Sequence, residues 1–78
     1  MYKRQALSLA ILTKRSITLA GHATSLALEP EFWAVLDAMA ADRAWSLAQL
    51  IRWIDESRGE RPLASACRVA ALAFSAAG

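Results

Sequence analysis

With one cysteine and one histidine among its 78 residues, the chain excludes more chemistry by scarcity than any motif in it suggests. A lone Cys67 can neither close an internal disulfide nor build a cysteine-cluster metal site. On a helical apolar face it reads as a small buried hydrophobe, which fits a reducing compartment. His22 is far from Cys67 in sequence, and no glycine-rich phosphate loop is present. The carboxylates fall at helix starts or on solvated faces. A nucleophile–base–orienter set cannot be assembled, so no catalytic residue, metal ligand or cofactor is expected. No apolar run approaches the roughly 20 residues that span a bilayer. Ala6–Leu12 after Lys3-Arg4 imitates a signal peptide, but it is short, stops at Lys14-Arg15 and precedes no convincing cleavage site. Export is rejected and a cytoplasmic, membrane-free location expected.

What the chain has in abundance is apolar surface. Hydrophobic residues make up 56%, with three Trp and two Phe, and mean hydropathy is +0.29. A single domain of this size buries only about 60% of the surface its unfolded form exposes. Self-association offers a second core, and a twofold homodimer is its commonest form.

Charge is uneven. Lys3, Arg4, Lys14 and Arg15 have no acid among them, whereas residues 16–78 hold five Arg against seven Asp and Glu, a net of −2. Met1–Gln5 looks like a translated sequencing-adapter end, and without it the chain is neutral. Residues 1–13 are therefore set aside as an arm, disordered or partly artefactual, and 14–78 taken as the domain. Any anion-binding surface in that domain must be local.

Lys14–Leu28 alternates as a strand does, but its phase slips. Ile17 and Leu19 are apolar at odd positions, Leu26 and Leu28 at even ones, so one flat strand would send half of them to the wrong face. Gly21 can reset the register. A hairpin with Ile17 near Leu26 is favoured; a long bulged strand is the alternative. Glu29-Pro30-Glu31 opens a first helix, because proline suits the first turn and carboxylates suit its positive end. Phe32, Val35, Leu36 and Met39 form its apolar stripe to about Arg43. Trp33 lies on the flank, placed for a partner chain or the third helix. Ser46-Leu47-Ala48-Gln49 reads as a capping box, followed by the stripe Leu47, Leu50, Ile51 and Ile54, and Arg58-Gly59 closes that helix. Leu63, Ala66, Cys67, Ala70 and Phe74 mark a third, alanine-rich helix, with Arg68 on its solvated side.

These residues resemble the ribbon-helix-helix family, in particular a bacterial subgroup with an extended ribbon and a third helix. The resemblance rests on Lys14-Arg15-Ser16-Ile17-Thr18, Gly21-His22, Thr24-Ser25-Leu26, Leu28-Glu29-Pro30-Glu31-Phe32-Trp33 and Ser46-Leu47, and covers residues 14 to about 75. It implies a mainly α fold with a short N-terminal β-ribbon, assembled as an intertwined homodimer. It also implies a ribbon in the major groove of double-stranded DNA, with the second helix holding a phosphate at its N-terminus. Carried over, Ala23, Ser25 and Ala27 occupy the reading face, and Ser46 and Leu47 the phosphate clamp. Lys14 and Arg15 bind phosphates at the ribbon entrance, and His22 approaches the backbone or a base. Leu26, Leu28, Phe32, Trp33, Leu36, Leu50, Ile51 and Ile54 make up the dimer core. Two departures stand out. Alanine at two of three reading positions cannot form the bidentate bonds that discriminate bases. Ala44 also replaces a glycine between the helices, at a cost on the order of 1 kcal/mol if the backbone there is left-handed.

Each assignment has a plainer competitor. Lys14 and Arg15 are equally a solvated tail, a lone turn histidine is more often merely exposed, and Ser46 caps its helix in either case. Trp33, Trp45 and Trp53 fit core or dimer packing better than base stacking. The expected function is a dimeric transcriptional regulator or an antitoxin-like repressor. Its rival is a protein-interaction module of the same fold that has lost DNA readout.

Overall fold

The computed structural model describes residues 11–77. The arm proposed for 1–13 thus falls mostly outside the described residues. The ribbon begins one residue earlier than expected, at Thr13.

Strands β1 (Thr13–Leu19) and β2 (His22–Leu28) form a two-stranded antiparallel sheet. The two-residue turn between them is Ala20-Gly21, with φ of 51° and 84°. Two positive φ values in succession match the twist of the flanking strands, which is why such turns close hairpins. The register pairs Thr13 with Leu28, Arg15 with Leu26, Ile17 with Thr24 and Leu19 with His22. Ile17 and Leu26 are therefore diagonal neighbours on one face, both buried, and the phase slip is a hairpin. The β1–β2 pairing is made within one chain. The tight turn is the physical reason: closing two residues costs far less chain entropy than pairing distant segments.

Helix α1 (Pro30–Asp42) starts from Glu29 in extended backbone, with proline at its first turn and no side-chain cap. Its buried row is Trp33, Leu36, Met39 and Ala40: Leu36 and Met39 are buried as expected, whereas Phe32 and Val35 are half-buried and Trp33 and Ala40 take their place. The helix is apolar on most sides, so periodicity alone does not fix its rotation. Trp33 decides it. Its indole N–H donates to the Thr13 carbonyl at 2.7 Å, so the ring can be 2% exposed without an unsatisfied donor. Trp33 is thus an interior residue of its own chain, not a flank awaiting a partner.

The turn after α1 is a Schellman motif. Ala44 has φ 57°, Trp45 N–H reaches the Ala40 carbonyl at 2.9 Å, and Ala44 N–H reaches Ala41 at 3.1 Å. The left-handed backbone suspected at Ala44 is present. Helix α2 (Leu47–Ser57) has the expected capping box: Gln49 N–H donates to Ser46 Oγ at 3.1 Å, and Ser46 N–H donates to Gln49 Oε1 at 2.7 Å. Gly59, with φ 62°, lies just beyond its end. Helix α3 (Leu63–Ala77) buries Ala66, Cys67 and Ala71. Arg68, expected on the solvated side, is half-buried instead. It donates to Glu29 at 2.9 Å and lies 5.7 Å from the centre of the Phe32 ring, tying α3 to the start of α1.

All three helices and the inner ribbon face share one core, in which Leu28, Leu36, Leu50, Ile51 and Cys67 have no exposed surface. Of the residues expected in a dimer core, Leu26, Leu28, Trp33, Leu36, Leu50, Ile51 and Ile54 are buried within this chain, and Phe32 packs half-buried against them. Among the described residues no helix is long and apolar enough to cross a membrane.

Candidate nucleic-acid interface

In a strand, successive side chains point to opposite faces. The inner face of the ribbon is taken by Ile17, Leu26 and Leu28. The outer face then carries three cross-strand pairs: Lys14 with Ala27, Ser16 with Ser25, and Thr18 with Ala23. All are exposed except Ala27, which is partly covered. The structure thus places Lys14, Ala23, Ser25 and Ala27 together. It adds Ser16 and Thr18, which sequence reasoning did not single out. Once Ala20-Gly21 is taken as a two-residue turn, counting back from it gives both pairings, so the signal was present.

Lys14 and Arg15, expected to act together, are separated by the same alternation. Lys14 points outward and has no carboxylate partner among the described residues. Arg15 points toward the helices and donates to both oxygens of Asp37, at 3.0 and 3.2 Å, over the Trp33 ring. Its charge is committed to α1. His22 is exposed at the ribbon tip, opposite Leu19 and on the helix-side register. It is not on the face of Ser25.

At the N-terminus of α2, Ser46 is exposed and Leu47 half-buried against the core. The first intrahelical bond is Leu50 N–H to the Ser46 carbonyl, at 3.1 Å, and Gln49 N–H is taken by the Ser46 hydroxyl. Leu47 and Ala48 N–H remain outside the helix's own bonding, with the helix dipole adding partial positive charge behind them. The Ser46 oxygen acts as acceptor in the cap, so its own O–H can still donate to an anion.

Elsewhere, Arg68 beside Glu29 holds that carboxyl below its ordinary value of 4.5. Burial pushes the Cys67 thiol up to about 11, which leaves it protonated and unreactive. Neither group belongs to the ribbon.

A short antiparallel ribbon leading into three helices defines the class of fold. The ribbon-helix-helix domain family matches residues 12–74, and the chain belongs to that family, whose members are typically DNA-binding regulators or antitoxins. Among solved structures, the chain is similar to an uncharacterized protein from Bordetella pertussis Tohama I, with 35% identity and a TM-score of 0.75. The match covers 96% of this chain and 64% of that one, so this chain spans less than two thirds of the relative's length. None of the curated proteins matches.

Proposed function

We propose that the protein is a DNA-binding regulator acting as a homodimer, with the outer face of the β1–β2 ribbon in the major groove. One observation carries this reading. The outer face presents only small and polar groups plus Lys14, on a two-stranded ribbon of the width that the major groove admits. The inner face, by contrast, is anchored to the core.

The chemistry on that face sets its character. Ser16, Thr18 and Ser25 can donate to or accept from base edges, and Ala23 and Ala27 fit against thymine methyls. None is a long bidentate reader. Affinity therefore comes chiefly from phosphate contacts at Lys14 and the α2 N-terminus, and sequence preference is modest. A hairpin leaves its outer strand edges unpaired. A second copy aligned along one such edge would satisfy those groups and double the phosphate contacts.

Titration of duplex DNA by fluorescence anisotropy across a salt series tests this reading. Log K should fall linearly against log salt, with a slope of about 0.9 per phosphate neutralised. Absence of binding at low salt would remove the proposal. The alternative, a protein-interaction module, draws its support from the two alanines of the outer face and from the near-neutral domain.

A further inference from the structure

Two clefts lie side by side on the helical surface between α2 and α3, away from the ribbon. One, of about 370 Å³, lies between the C-terminal half of α2 and α3, where Arg58 and Arg61 border it. The other, of about 310 Å³, continues past Trp53 to Met39, Arg43 and Phe74. Trp53 and Ala70 line both, so the two form one groove. The floor is apolar, and Trp53 and Val69 beside it are 43% and 46% exposed.

Charge around the groove has a single sign. Three arginines border it and no carboxylate does. Arg58 is paired with Asp55 at 2.6 Å. Arg43 has no carboxylate partner among the described residues; its guanidinium lies over Trp45 and Trp53, at 5.4 and 5.1 Å. The Arg61 guanidinium meets only the Ser65 hydroxyl among the described residues, at 3.4 Å. Asp42 and Glu60, next to Arg43 and Arg61 in sequence, line neither cleft.

We propose that this groove docks an acidic amphipathic helix of another protein, with apolar residues on the floor and Asp or Glu flanks against Arg43 and Arg61. A groove read by an apolar stripe at i, i+3, i+4 and i+7 is a recurring mode of helix recognition, and complementary charge selects the partner. A second copy of this chain fits less well. Symmetric docking sets arginine against arginine, and four of the seven carboxylates, Glu29, Asp37, Asp55 and Glu56, are already in ion pairs. Nucleic acid would match the arginines but leave the apolar floor without a counterpart. The inference does not depend on the ribbon binding DNA.

The test uses a synthetic helix with leucines at i, i+3, i+4 and i+7 and glutamates on its flanks, titrated into the ¹⁵N-labelled full chain. The Trp53 indole and Val69 amide signals should shift. The Trp33 indole, bonded to Thr13, should not move and serves as a fold reference. Binding should weaken with salt, fall about tenfold in Arg61→Glu and persist in Arg61→Lys. Val69→Asp, at an exposed position, should abolish it while leaving the Trp33 signal in place. The proposal is overturned if the peptide moves nothing, or if a lysine-flanked version binds equally well. It is also overturned if duplex DNA shifts the same signals, or if sedimentation shows self-association that Val69→Asp removes.

Discussion

Arg15 grips Asp37 with two hydrogen bonds, at 3.0 and 3.2 Å, while its guanidinium carbon lies 4.5 Å from the centre of the Trp33 ring. Trp33 in turn donates to the Thr13 carbonyl, so β1 and α1 are joined by a bidentate pair, a stacked cation and an indole hydrogen bond. The neighbouring Lys14 takes no part. Arg15→Ala should therefore lower stability, by about 0.5–1.5 kcal/mol, with little change in DNA affinity. Lys14→Ala should do the reverse, weakening binding and flattening the salt slope. Thermal melts beside salt-series titrations of both variants separate the two roles.

Ala20 and Ala44 hold left-handed backbone without being glycine. Replacing either by glycine relieves a steric penalty of about 1 kcal/mol, partly offset by the greater freedom of the unfolded chain. Both variants are expected to melt at a higher temperature. A lower melting temperature for Ala44→Gly would mean that the Schellman turn does not carry this strain.

Ser46 combines a structural role with a proposed binding one, and two substitutions can part them. Ser46→Ala removes the cap and should cost about 1 kcal/mol. Ser46→Asp keeps a capping oxygen but places negative charge where a phosphate would approach. It should retain wild-type stability in chemical denaturation and lose DNA affinity.

The Glu29–Arg68 pair ties acid stability to a named contact. The Glu29 pKa is lower in the folded chain than its ordinary value of 4.5. The pair's contribution is therefore fully present above about pH 4.5 and lost as pH falls through the lower folded value. Glu29→Gln should flatten that acid limb in melts taken across pH. An unchanged limb would mean that the contact contributes nothing there.

Cys67 has no exposed surface, and its thiol pKa is raised to about 11. A disulfide-exchange reagent at neutral pH should label it only as fast as the chain opens. Stability should fall as pH rises from 9 toward 11, where the unfolded thiol ionises first. Cys67→Ala should lack that alkaline loss.

Much of this architecture was legible in the residues. The phase slip around Gly21 gave the hairpin, Ser46 to Gln49 gave the capping box, and Ala44 carried its left-handed turn where a glycine was missing. The misreadings share a cause. Trp33 was read as a flank of α1 because Phe32 and Trp33 each continue an apolar stripe through Leu36 and Met39, and only a long-range bond to Thr13 chooses between them. Arg15 read as a free cation because its partner, Asp37, lies 22 positions away. Arg68 read as solvated for the same reason, with Glu29 at 39 positions. Local pattern reveals periodicity and caps, but not which charges meet across the fold. On the ribbon, the same local view placed Ser25 on the outer face and overlooked Ser16 opposite it.

Mapping duplex DNA onto the ¹⁵N-labelled chain tests the central claim most directly. The largest shifts should fall on the outer-face residues Lys14, Ser16, Thr18, Ala23, Ser25 and Ala27 and on Leu47 and Ala48 at the start of α2, with the inner-face amides of Ile17 and Leu26 moving less. Shifts confined to α3 and the Trp53 groove, or none at low salt, would contradict a ribbon that reads DNA.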